Sequence, residues 1–288
     1  MKYILLTLLF VINTYAYDAF VCASQLKEKI DNPNLVLIDV NSKSQYDKSH
    51  IINALHVDIQ DYYDDKKSIK SILESIWTKR RLSNLGIQKD SEVVIYTRSN
   101  DQLNASYFAM ILILSGFENV SILDGGYMAW TFKYNRLVSS EESDSKSNDS
   151  YDINYNNNIL VDTKYLIKNI ENAQIIDSRN TPYYFGTKKL FTYKHFGHIP
   201  NAKSSFYKDK FLSDLTLRKD SQIEDIFLLG LELDTSKDII VYGDSIFDAS
   251  MNWFILYKKL DFKNAKLYED SFKEWDKEDL QTTSFKWE

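Results

Sequence analysis

Apolar residues fall in short runs, each followed by a polar loop and, in two cases, by a longer stretch with helical spacing. Leu35-Val36-Leu37-Ile38, Val93-Val94-Ile95-Tyr96, Ile175-Ile176 and Ile239-Ile240-Val241-Tyr242 are such runs. They are too short for helices and carry the β-branched residues of buried strands. Helical patterns follow over Gln102–Leu114 and Ala249–Leu260. Alternating strands and helices predict an α/β fold, with a mainly parallel sheet flanked by helices on both faces and functional loops at the carboxyl ends of strands.

The same blocks occur twice in the same order. Leu35–Val40, Ser49–Ala54, Val93–Tyr96 and Gly116–Trp130 form one set; Ile175–Arg179, Gly197–Ala202, Ile239–Tyr242 and Asp261–Trp275 form the other. The last pair aligns without a gap at an offset of 145. This internal repeat predicts two tandem domains, over 17–134 and 159–288, joined by a linker over 135–158. Ser139–Ser150 contains no apolar residue and reads as solvated. Tyr151–Asn158, polar and aromatic, reads as the segment where the linker docks.

Residues 1–16 stand apart. Lys2 precedes the apolar run Ile4–Ile12, and Ala16 closes the segment, which reads as an export signal too short to span a bilayer. The expectation is an exported protein of the periplasm or cell envelope with no stable membrane span in the mature chain. A net charge of −6 argues against a nucleic-acid partner. The single cysteine, Cys22, excludes an internal disulfide.

The stretch with most chemical potential is Ile239–Ser250. It reads as a buried strand, a six-residue loop of Gly243, Asp244, Ser245, Ile246, Phe247 and Asp248, and a helix with Asp248 as its N-cap. Several amides of such a loop can converge on one spot and favour an anion or a thiolate.

Taken together, these blocks resemble the rhodanese family, and their pairing resembles two-domain thiosulfate and mercaptopyruvate sulfurtransferases. The most specific parts are Asp177-Ser178-Arg179, Gly197-His198-Ile199-Pro200-Asn201-Ala202 and Leu123-Asp124-Gly125-Gly126-Tyr127-Met128-Ala129-Trp130. The resemblance implies that the second domain carries a cysteine persulfide cradled by loop amides, with binding residues at Arg179, Tyr183, Gly243 and Ser245. It also places that cysteine at Gly243, and at Thr97 in the first copy. Glycine supplies no thiolate. Asp244 and Asp248 add two carboxylates beside the spot, each opposing a bound anion by about 1 kcal/mol even when solvated. Arg179 also reads as a structural ion-pair partner of Asp177.

No substitute nucleophile stands out. Ser245 and Thr97 lack a histidine in their loops to act as base. Cys22 reads as a structural thiol of the first edge strand. His50, His56, His195 and His198 show no zinc pattern, and Gly125-Gly126 lacks the lysine of a phosphate loop. The expectation is therefore no catalytic residue, no metal and no cofactor. The chain reads as a degenerate tandem acting as a binding or interaction module, for an unknown protein partner or a small sulfur-containing anion. The alternative is sulfane-sulfur transfer or carriage, which would have to use Cys22. If only the nucleophile is missing, Gly243→Cys should restore activity.

Overall fold

A computed structural model describes residues 18–88, 90–145, 155–156 and 158–288. The expected export segment, 1–16, and residues 146–154 of the expected linker lie outside them. The first half contributes β1 Phe20–Val21, β2 Leu35–Asp39, β3 His50–Ile51, β4 Ala54–His56, β5 Glu92–Tyr96, β6 Val120–Leu123 and β7 Val138–Ser139. The second contributes β8 Leu160–Val161, β9 Gln174–Asp177, β10 Ala202–Ser204, β11 Ile239–Tyr242 and β12 Ala265–Tyr268.

Each half builds one five-stranded sheet, in the orders β1-β6-β5-β2-β4 and β8-β12-β11-β9-β10. Every pairing within these two sheets is parallel. The orders match strand for strand, as the repeat requires. Val93–Tyr96 and Ile239–Tyr242 are fully buried because their sheets are covered on both faces.

The helices that follow the central strands, Leu103–Leu114 and Ile246–Phe254, pack on each other across the two halves. The first is buried at every position from Ala105 to Leu114, as a helix apolar all round must be. Where the helices cross, the Oγ atoms of Ser106 and Ser250 lie 2.8 Å apart. These serines occupy matching places in the repeat, so an approximate twofold axis runs between them. One apolar cluster draws on both halves, including Phe108, Met110, Trp253 and Phe254. Two further clusters cover the outer sheet faces, around Trp130 and around Trp275.

Backbone pairing with the first half runs on past 134, into the expected linker. β7 pairs antiparallel with β3, and the Ser143 N–H donates to the Tyr46 hydroxyl at 3.2 Å. The short strand β3 needs that partner for its backbone groups. His198 and Thr283 make the equivalent bridge in the second half. Beyond it, Tyr155 donates to the carbonyl of Leu73 and the Asn156 N–H bonds Leu114 O at 3.1 Å, so this part of the linker is docked.

Candidate functional site

β11 delivers its carboxyl end beside the boundary between the halves, and the chain then turns tightly into a helix. The helix begins at Ile246 with Ser245 as N-cap, which corrects the expectation of an N-cap at Asp248. Ser245 and Asp248 form a capping box: Asp248, in the first turn, accepts the Ser245 N–H on Oδ2 at 3.3 Å. The amide of Asp244 also turns toward that carboxyl. Amides that could have held an anion are thus occupied by the loop's own side chain.

Gly243 leaves no room for a nucleophile. A β-carbon there would fall 2.5 Å from Cβ of Asp248 and 2.8 Å from the Ser245 carbonyl oxygen. Both distances are well inside van der Waals contact, so the loop has closed over the position. Burial, with the neighbouring charge of Asp244, pushes the Asp248 carboxyl up to about 6. Burial also raises Asp244, against the pull of Arg179, whose Nη1 lies 3.6 Å from its Oδ1. Two partly desolvated carboxyls make this a poor place for a third negative charge.

Arg179 is buried and bound into the frame beneath the loop. Its Nε and Nη2 reach Asp177 at 2.7–3.1 Å, Nη2 also donates to Gly197 O at 2.7 Å, and the guanidinium lies 3.8 Å from the Phe272 ring centre. Asp177 further accepts the Tyr242 hydroxyl at 2.7 Å, which itself accepts the Ile199 N–H. Arg179 therefore braces β9 against β11 and offers only one edge to the loop.

Tyr183 lies on the helix Thr181–Phe185 and lines neither of the two cavities flanking the loop. One, of about 120 Å³, lies between Tyr63–Ile69 and Asp244–Ile246 with Glu269 and Asp270. The other, of about 510 Å³, has Tyr193, Lys194, Asp244, Ser245 and Lys273 in its walls. No histidine lines either. Tyr184 stacks on His198 at 3.8 Å inside the second half. Beside the loop, Phe247 reaches across to the first half, stacked on Tyr107 at 4.1 Å and edge-on to Tyr63 at 5.2 Å. The sequence does not foretell this aromatic contact, because it depends on how the halves meet.

The first half shows the same frame with its parts exchanged. Thr97 donates from Oγ1 to Asn41 at 3.1 Å, and the Arg98 N–H donates to the same oxygen at 2.8 Å. Asn41 stands where the second half has Arg179, and Arg98 supplies the guanidinium from the loop. It donates to Ser49 O as Arg179 does to Gly197 O, and it lies 3.4 Å over Tyr127, the repeat partner of Phe272. The sequence signal for Arg98 was the loss of arginine at 41 beside a retained ring at 127. Cys22 follows β1 as N-cap of the helix Ala23–Lys29, matching Asp162, which caps Tyr165 N–H at 2.8 Å. Burial raises its thiol, but hydrogen bonds from Ser24 and from the Gln25 amide outweigh that and lower it. β6 separates its strand from β5.

Residues 23–133 and 162–278 each match the rhodanese-like domain. The chain belongs to the rhodanese-like family. Among curated relatives, a Mycobacterium leprae protein named "Putative thiosulfate sulfurtransferase" is 26% identical over 268 residues, covering 90% of this chain and 94% of the relative. A Synechococcus elongatus protein of the same name is 23% identical over 274 residues, 91% of this chain and 83% of the relative. Among solved structures, YnjE superposes with a TM-score of 0.78 at 18% identity, over 93% of this chain and 68% of that one. At that identity the likeness speaks for the fold. It agrees with the two matched sheets, and the rhodanese-like tandem read from the sequence stands.

Proposed function

We propose that this rhodanese-like tandem is an exported protein whose sulfur-transfer site is degenerate and which acts as a binding or interaction module. The observation that carries the reading is the closed loop: the space for a side chain on Gly243 is taken by Asp248, whose carboxyl also occupies the loop amides. Persulfide chemistry needs a thiolate within that cradle, and here the cradle holds a carboxyl. The first-half loop supports the same reading, since Asn41 and Thr97 use its amides internally.

The test is sulfur transfer by the mature chain from thiosulfate and from mercaptopyruvate, to cyanide and to a dithiol. Rates at the uncatalysed background support the reading, and turnover overturns it.

The second reading takes its activity from the names of the relatives. It would run through Cys22, whose partly exposed thiol is lowered by its hydrogen bonds. Its thiolate would attack the outer sulfur of thiosulfate, and sulfite would leave with the electron pair of the broken S–S bond. Turnover abolished by Cys22→Ser would establish this reading.

A further inference from the structure

The two halves act as controls for each other on one surface. In each, a tyrosine stacks on a histidine at 3.8 Å, Tyr46 on His50 and Tyr184 on His198. In each, the returning chain crosses the pair and donates a backbone N–H to the tyrosine hydroxyl, from Ser143 and from Glu288. In the first half the residues around this crossing are Asp47, Ser140, Glu141 and Glu142, and Lys43 pairs with Asp47 and Glu142. That surface is polar.

In the second half the same places hold aromatic rings. Phe185 follows the tyrosine, and the crossing segment is Ser284-Phe285-Lys286-Trp287. Phe185 meets Phe285 edge-on at 6.1 Å and Trp287 face-on at 5.0 Å. Thirteen residues instead of three separate tyrosine from histidine, and the longer loop adds Phe191 and Phe196. The rings are not hidden: Phe285 is 68% exposed, Trp287 58% and Phe191 fully so at 101%. The repeat folds in its first copy with charged side chains here, so the architecture does not require them. Phe285 and Trp287, joined through Phe185, form an exposed aromatic patch, and such a patch marks a contact surface.

We propose that this face docks on the surface of an anionic lipid bilayer. Lys188 and Lys189 precede Phe191 on the loop and form no ion pair among the described residues, and Lys286 lies between Phe285 and Trp287 in the chain, although the whole chain carries a net charge of −6. Lys286 and Lys194 are themselves paired, with Glu288 at 3.1 Å and with Asp279 at 3.5 Å, so the surplus positive charge sits on Lys188 and Lys189, beside Phe191 in the loop. Protruding Phe and Trp rings that enter the headgroup region, with lysines beside them held by anionic headgroups, make up an interfacial anchor. Phe191 stands free on its loop, as a ring entering a fluid interface can. This inference is independent of the closed loop at Gly243, and either can fail without the other.

The test is co-sedimentation of the chain from Tyr17 onward, which contains both domains, with vesicles of phosphatidylcholine alone or mixed equally with phosphatidylglycerol. Binding is expected to the mixed vesicles, weakened by high salt, and absent from the neutral ones. The variant Lys188→Glu/Lys189→Glu/Phe191→Ser, confined to the exposed loop, should lose roughly tenfold or more in partitioning with an unchanged unfolding midpoint. Phe285→Ser/Trp287→Ser should lose a similar amount. Equal binding by the loop variant, or no binding to anionic vesicles, overturns the proposal. So does a dimer in size-exclusion chromatography that the same substitutions abolish while vesicles bind nothing, because it assigns the face to a second copy.

Discussion

At the scale of single residues, the retained frame and the closed loop make opposite demands on stability. Arg179 is buried with its charge satisfied by Asp177. Removing one partner of such a pair leaves an uncompensated charge, so Arg179→Ala is expected to cost about 3–5 kcal/mol in urea denaturation. Arg98→Ala, which loses chiefly the contact over Tyr127, should cost about 1–2 kcal/mol. Asp248 works the other way. Its carboxyl is raised in the folded protein to about 6, so the stability tied to its protonation is fully present below the ordinary aspartate value near 4 and is lost as pH rises through about 6. Asp248→Asn should therefore flatten the stability profile between about pH 4 and 6 and raise stability at neutral pH by about 1–3 kcal/mol. Denaturation midpoints across that range check the sign. A steeper profile in the variant would contradict it.

At the scale of elements, what could be read from the sequence depended on whether the information is local. Strands β5 and β11 and the helices after them were legible, because burial on both faces forces unbroken apolar runs. The helix start was not. Ser245 and Asp248 are both good caps, and only the folded turn decides that serine takes the N-cap and aspartate the third position. Arg98 escaped for a similar reason: a guanidinium site can be filled from the strand end in one copy and from the loop in the other. Phe247 was placed in the loop, but its partners Tyr63 and Tyr107 come from the other half. Phe247→Ala should open this contact at a cost of about 2–4 kcal/mol, read from urea denaturation.

At the scale of the whole molecule, the repeat predicted two domains but could not show that they share a core. The helices meeting at Ser106 and Ser250 bury side chains of both halves in one cluster. Either half alone would expose an apolar helix face. The chain is therefore expected to unfold in one cooperative transition, with van't Hoff and calorimetric enthalpies in agreement. Two separable transitions would show that the halves are energetically independent.

The central claim is that the loop has closed over the place of the missing nucleophile and has not merely lost it. The most direct measurement is thiosulfate-to-cyanide turnover by Gly243→Cys, beside the unchanged chain and beside Gly243→Cys/Asp248→Gly. No turnover is expected from the unchanged chain or from the single variant, whose new β-carbon meets Asp248 and the Ser245 carbonyl. Recovery of rhodanese activity by Gly243→Cys alone would contradict the claim, because it would show a cradle still open and lacking only its thiol.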